Sequence, residues 1–247
     1  NWPDNYIHTS DDDLWNIDRT QLQRNAFAAA AIAYTIARAG DEEADVIARE
    51  VFARSSRRLA EAFDVATRLV REQPGRGRAF HLARNQIHQA VERETRALLS
   101  LNAVAPGRTA LTQSLSASLE KIGQSLQGEL EAFYRTVSGE KDVPSLELTE
   151  KEKELQGLTP QVVAGPAEFL EGRGEVQNVE GLHRLMAFEI TNYIDGKRTA
   201  LEIYEAAVAE ALQGGADYYG TISPDQVSHH LDNLAAAGLV KLSRSDN

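Results

Sequence analysis

The first eighteen residues contain the side chains best suited to chemistry, because they combine a histidine, aromatic residues and acids outside any amphipathic pattern. His8 is closely followed by Asp11, Asp12 and Asp13. An imidazole beside carboxylates is a common zinc arrangement, but a catalytic zinc usually has three protein ligands, and the sequence offers no second cluster. Spacing alone leaves two interpretations open. His8 is a zinc ligand, or the segment is an acidic surface loop that caps a helix.

The segment also resembles a known family. Tyr6–Leu14 (YIHTSDDDL), followed by Ile17–Asp18 and the helical stretch QLQRNAFAAAAIAYTIARA, is similar to the end of the catalytic domain of co-catalytic two-zinc aminopeptidases, which include secreted leucyl aminopeptidases and glutamate carboxypeptidase. In that family a Tyr-x-His-Thr-x-x-Asp segment supplies the last zinc-binding histidine and leads into the closing helix. The resemblance implies that His8 is this ligand and that Asp12 supports it. In that family a threonine often follows the aspartate of the segment, and this chain has Asp13 at that position.

The resemblance covers about the first forty residues and places the family's remaining ligands and its general-base glutamate upstream of Asn1. It therefore implies that this chain is the C-terminal part of a zinc metallopeptidase, inactive alone, with zinc held only in the intact parent. The expected partners are the upstream peptidase domain or another copy of the chain, and a peptide substrate could also bind. By the same resemblance the parent is secreted or periplasmic.

Composition favours a mainly α fold. Hydrophobic residues make up 42% of the 247-residue chain, aromatic residues only 6%, and alanine is abundant, a balance that suits closely packed helices. The net charge of −11 disfavours broad adhesion to nucleic acid or to an anionic membrane. The absence of cysteine excludes disulfides, a thiol nucleophile and Cys-ligated zinc. No apolar run approaches the roughly 20 residues of a membrane span.

Apolar periodicity predicts four long helices in the first part of the chain. The first is capped by Asp18 or Thr20, and its apolar face is expected to be buried against later helices, against a partner chain, or not at all. The next three are linked by short Pro/Gly turns, which predicts an antiparallel bundle. We assign 1–40 to the end of the catalytic domain, 41–138 to the helical bundle, 139–178 to an ordered connector and 179–247 to a last domain.

The last domain is predicted to contain helices over 179–193 and 200–212, a third helix after Ser223-Pro224, and a strand over 239–242. This order resembles small winged-helix modules, some of which bind DNA and some of which bind peptides. The predicted third helix carries Asp225 and Asp232 but no Arg or Lys, so nucleic acid is not its expected partner. A free-standing regulatory protein with a nucleic-acid-binding winged helix remains the alternative.

Charged side chains within the bundle are interpreted as ordinary helix surface. Arg54, Arg57 and Arg58 have acids nearby, which favours a solvated face over a phosphate-binding patch. Glu94 beside Arg93 is likewise assigned to the helix exterior. His81 and His88 share a face at seven-residue spacing, and we interpret them as surface or interfacial histidines, because metal pairs on helices are usually four apart.

Overall fold

The computed structural model describes residues 10, 14–72 and 77–244. Within these residues the chain is mainly α-helical, which confirms the predicted fold class, and its sheet has two short strands. No helix in this part of the chain is long and apolar enough to cross a membrane.

The first helix, α1 (Arg19–Arg38), follows a 3-10 turn at Leu14–Asn16. The carboxylate of Asp18 accepts hydrogen bonds from the backbone N–H groups of Thr20 and Gln21 at 2.8 and 3.0 Å, so Asp18, one of the two predicted caps, is the N-cap. None of the twenty residues of α1 is buried. The apolar face of α1 is therefore not buried against the later helices that the structure describes.

Three long helices form the bundle: α2 (Asp41–Glu72), α3 (Gly77–Leu99) and α4 (Thr109–Ser138). Each packs against the other two, and the α3–α4 connection contains 3-10 turns at Ser100–Ala103 and Pro106–Arg108. The largest fully buried side chains of its core are Leu59, Phe80, Ile87, Leu98, Leu119, Leu130 and Tyr134. Buried alanines on α2 and α3 let the backbones approach closely. The predicted helical bundle is confirmed.

Glu94 is buried, so the prediction that it lies on the helix exterior is wrong. Its side chain is only 2% exposed, and its carboxylate accepts hydrogen bonds from Ser55 Oγ and Arg58 Nε, both at 2.8 Å. Burial raises the pKa of Glu94, but the hydrogen bonds from Arg58 and Ser55 outweigh it and hold this pKa below its ordinary value. Arg58 is therefore not simply a solvated charge, since it ties α2 to α3. In the sequence, Glu94 lies between Val91 and Leu98 on the apolar face of the helix. This position indicates that Glu94 is buried.

The second part of the structure, which we name the C-terminal body, runs from α5 to β2. Its elements are α5 (Glu150–Gln156), β1 (Leu158–Val162), α6 (Pro166–Gly172), a 3-10 turn (Arg173–Glu175), α7 (Arg184–Asn192), α8 (Ala200–Gly214), α9 (Ala216–Tyr219), α10 (Pro224–Ala236) and β2 (Val240–Arg244). The central helix is α8, which contacts α3, α5, α7, α10 and β1. Nine residues of α8 are buried, so α8 organises the core of the C-terminal body and joins it to the bundle.

The connector contains more regular structure than its composition suggested. The charged run at 149–156 forms α5, because Thr149 and Glu152 make a capping box and Leu155 is fully buried. β1 pairs antiparallel with β2 despite Pro160. The Val163 N–H donates to the carbonyl of Leu239 at 3.0 Å. Alternation along the ladder then places Pro160 in a non-hydrogen-bonded pair, where a missing N–H costs no ladder bond.

The predicted helix over 179–193 begins later than expected, at Arg184. Gly181 has a φ of 73°, and His183 Nδ1 accepts a hydrogen bond from the Leu185 N–H at 3.2 Å. These two features make a turn and an N-cap where periodicity predicted a continuous helix. The terminal strand is likewise shifted, to Val240–Arg244.

Candidate functional site

The two residues singled out by the sequence, His8 and Asp12, lie outside the described residues. The zinc interpretation therefore stays a prediction. Among the residues that the structure describes, no group of three or more His, Asp or Glu side chains could hold a metal ion. The donor groups of the bundle and the C-terminal body therefore do not fit a zinc site.

A cleft lies between the bundle and the C-terminal body. We name it the α3–α8 cleft, and it has a volume of about 610 Å³, within the usual range for small-molecule sites. Most of its lining comes from α3, from α8 and from the segment at 144–148. Its lining comprises Arg78, His81, Leu82, Arg84, Asn85, His88, Gln127, Pro144, Ser145, Leu146, Leu148, Glu152, Tyr204, Glu205 and Val208.

Arg78 and Glu152 fix one end of the cleft. The guanidinium of Arg78 donates two hydrogen bonds to the Glu152 carboxylate, one of them from Nη1 to Oε2 at 3.0 Å, and Nη2 also lies 3.4 Å from the hydroxyl of Tyr204. Glu152 is nearly inaccessible, with a side-chain exposure of 3%. Burial raises its pKa, but the hydrogen bonds from Arg78 and Thr149 prevail and lower it. This acid and this cation satisfy one another.

Glu205 differs from Glu152 because no described residue donates a hydrogen bond to its carboxylate. Burial is the main cause of its raised pKa, and the positive charge that His88 can carry opposes this shift. The backbone of Glu205 is firmly placed, because Asn85 Nδ2 donates to its carbonyl oxygen at 2.7 Å. The cleft thus contains a partly desolvated carboxyl group that has no hydrogen-bond donor among the described residues, on a backbone held by Asn85.

Arg84 supplies an unpaired cation. Its guanidinium lies 6.0 Å from the centre of the Phe80 ring and makes no ion pair with any residue that the structure describes. Its backbone is held from α4, where Gln127 Nε2 donates to the Arg84 carbonyl oxygen at 2.8 Å. The charge of Arg84 also contributes to the lowered pKa of His81, for which burial is the main cause.

The histidines of the cleft behave as the sequence predicted. His81 is partly buried and His88 is exposed, and both line the interface between the two parts of the structure. The histidines were assigned correctly, but the cleft itself was missed, since the partners of α3 lie more than 50 positions later on α5 and α8. The arrangement can bind a polar ligand, and its apolar walls can cover an aliphatic group.

A second candidate feature is the surface of α1. Phe27, Tyr34 and Ile32 are exposed by 76%, 64% and 61%, and Leu22 and Ile36 by more than half. Five large exposed apolar side chains on one helix are typical of an interaction surface.

No family model, curated protein or solved structure matches the chain.

Proposed function

We propose that this chain is the non-catalytic accessory region of a zinc-dependent peptidase, and that α1 packs on the catalytic domain of the parent enzyme. The observation that carries the proposal is the unburied apolar surface of α1, which directly follows the segment containing His8. In the family that this segment resembles, the corresponding helix closes the catalytic domain. A catalytic domain is therefore the natural cover for this surface.

The charges of α1 favour a catalytic domain over a second copy of α1. Arg19, Arg24 and Arg38 are its charged residues, and it has no acid. An antiparallel pair of α1 helices would bring Arg19 and Arg24 of one copy near Arg38 of the other, and like charges in contact are unfavourable. A different protein surface avoids this repulsion while covering Phe27 and Tyr34.

The distribution of metal-capable groups is consistent with the proposed accessory role. The described residues do not hold a zinc site, and the sequence offers His8 as a single ligand of the right type. In the parent, zinc would supply an activated water for peptide-bond hydrolysis. The resemblance to aminopeptidases implies that an N-terminal residue is removed. The bundle and the C-terminal body would contribute packing, oligomerisation or gating of the substrate.

A winged-helix-like interpretation of the C-terminal body is supported by the succession of α7, α8, α10 and β2, with β1 pairing with β2. The surface of α10 favours a protein or peptide partner over nucleic acid. Asp225 and Asp232 lie on this helix, which has no Arg or Lys. His229 is exposed, whereas His230 is buried with Nε2 at 2.9 Å from Thr191 Oγ1, so one of the two histidines belongs to the core.

Aminopeptidase assays with the purified chain test the accessory role. With added zinc, we expect no hydrolysis of leucine p-nitroanilide above a no-protein control, and measurable turnover would overturn the proposal.

Limited proteolysis should cut first in α1, because none of its residues is protected by packing.

The alternative function, a regulatory protein that binds nucleic acid, has a separate test. Salt-dependent binding to duplex DNA that disappears when residues 179–247 are deleted would favour it. We expect no such binding at physiological salt.

A further inference from the structure

We propose that the α3–α8 cleft binds a small zwitterionic ligand with an aliphatic body, such as a free amino acid or a dipeptide, through Glu205 and Arg84. Glu205 would receive the ammonium group and Arg84 the carboxylate. The inference concerns residues of the cleft alone and does not depend on the proposed accessory role.

The first step of the argument is the charge balance inside the cleft. Four charged groups of the cleft are always or usually ionised in proteins: Arg78, Arg84, Glu152 and Glu205. Arg78 and Glu152 neutralise each other through two hydrogen bonds. One acid and one cation are left without an ion-pair partner in the described structure. A ligand that complements both must carry one charge of each sign.

The second step is the placement of these two groups. Glu205 belongs to α8, and Arg84 belongs to α3, where Gln127 of α4 contacts its backbone. They are therefore presented by different helices. Both backbones are fixed by hydrogen bonds from neighbouring helices, at 2.7 Å for Glu205 and 2.8 Å for Arg84. These bonds place the two backbones, and the exposed Arg84 side chain extends from its fixed backbone position on α3.

The third step is the apolar part of the cleft. Leu146 and Leu148 of the segment at 144–148 line the cleft together with Val208 of α8, and Leu146 remains 43% exposed. An aliphatic group on the ligand would cover these side chains, and burial of this apolar surface favours binding. The volume of about 610 Å³ accommodates an amino acid or a dipeptide but not a folded partner.

Isothermal titration calorimetry on the full 247-residue chain tests the proposal with leucine and leucylleucine as probes. We expect saturable binding of at least one of them. Leucinamide, which lacks the carboxylate, and N-acetylleucine, which lacks the ammonium group, should each bind at least about tenfold more weakly than leucine, because each loses a charge-assisted contact. This comparison needs no variant and is independent of any folding defect.

Two variants then assign the charges. Glu205→Gln should weaken leucine binding by about tenfold or more and abolish the preference for leucine over N-acetylleucine. Arg84→Gln should abolish the preference for leucine over leucinamide. Glu129→Gln and Arg57→Gln remove one exposed charge of the same sign elsewhere on the bundle and should bind as the wild type does. Absence of saturable binding by both probes, or equal binding of N-acetylleucine and leucine to the wild type, would overturn the proposal.

Discussion

Arg78, in the first turn of α3, forms a two-hydrogen-bond ion pair with Glu152, 74 positions later on α5. The same carboxylate accepts a hydrogen bond from the Thr149 N–H at 2.9 Å. One acid therefore caps α5 and binds the bundle to the C-terminal body. The contact is polar at the point where the two parts of the chain meet, whereas the apolar cores on either side are largely separate.

Removing Arg78 should loosen this junction. We expect Arg78→Ala to lower the free energy of unfolding by about 2–3 kcal/mol, because it leaves the buried Glu152 carboxylate without its charged partner. Urea unfolding followed by circular dichroism measures the change. Arg57→Ala, which removes only an exposed pair with Glu61, should cost about 0.5 kcal/mol or less. Equal effects of the two substitutions would show that the junction does not depend on the Arg78–Glu152 pair.

Gly123 on α4 is required by close helix packing, and Gly128 on the same helix is not. A Cβ atom at Gly123 would lie 2.4 Å from Val91 Cγ2, whereas one at Gly128 would meet no atom within 4 Å. We expect Gly123→Ala to destabilise the bundle by about 1–3 kcal/mol through overpacking.

Gly128→Ala is the matched control, and it should stabilise the chain by about 1 kcal/mol because alanine is the better helix former. Thermal unfolding distinguishes the two variants by the sign of the change. Adding Val91→Ala should relieve the clash in Gly123→Ala. Stabilisation by both glycine substitutions would contradict the α3–α4 packing described above.

Acid should destabilise the protein through Glu94 and Glu152. Both have a lowered pKa in the folded chain relative to the ordinary value of 4.5, so the unfolded chain binds more protons as the pH falls through this range. Their contribution to stability is complete above about pH 5.5 and is lost as the pH falls through 4.5 towards the folded values. Urea unfolding at pH 7, 5, 4 and 3 measures this loss.

Glu94→Gln tests the assignment of this effect. It should be clearly less stable than the wild type at pH 7, because Arg58 loses its buried partner. The difference should shrink as the pH falls, since the wild-type carboxylate is then protonated. A difference that stays constant between pH 7 and pH 3 would mean that Glu94 does not titrate with folding.

The sequence was sufficient for the parts of the fold that depend on local signals. Helix α1 starts at the predicted cap, Asp18, and the long helices of the bundle follow from apolar periodicity and from Pro/Gly turns. Helix α5 was missed although its capping box is visible as Thr149 and Glu152, because the charged composition of this run suggested a break.

Features that depend on distant contacts could not be predicted in the same way. Strand β1 exists because it pairs with β2 about 80 positions later, and nothing near Pro160 indicates this pairing. The position of Glu94 on the apolar face of α3 indicates that it is buried. Its partner Ser55 could not be predicted, because Ser55 belongs to another helix. The α3–α8 cleft depends on how α8 docks on α3, which local periodicity does not determine.

The surface of α1 should be dispensable for the stability of the chain itself. We expect the double substitution Phe27→Ser and Tyr34→Ser to change the free energy of unfolding by no more than about 0.5 kcal/mol, because both side chains are already exposed. Leu59→Ala, in the bundle core, should cost about 2–5 kcal/mol. Urea unfolding compares them, and a loss of similar size in both would show that α1 packs on the bundle in solution.

The central claim is that this chain is the accessory region of a larger zinc peptidase, and the coding sequence immediately upstream of the Asn1 codon tests it most directly. We predict a continuous reading frame that encodes a second metal-binding histidine, a bridging aspartate, a further acidic ligand and a general-base glutamate, so that His8 completes the set. A start codon directly before the Asn1 codon would contradict the claim.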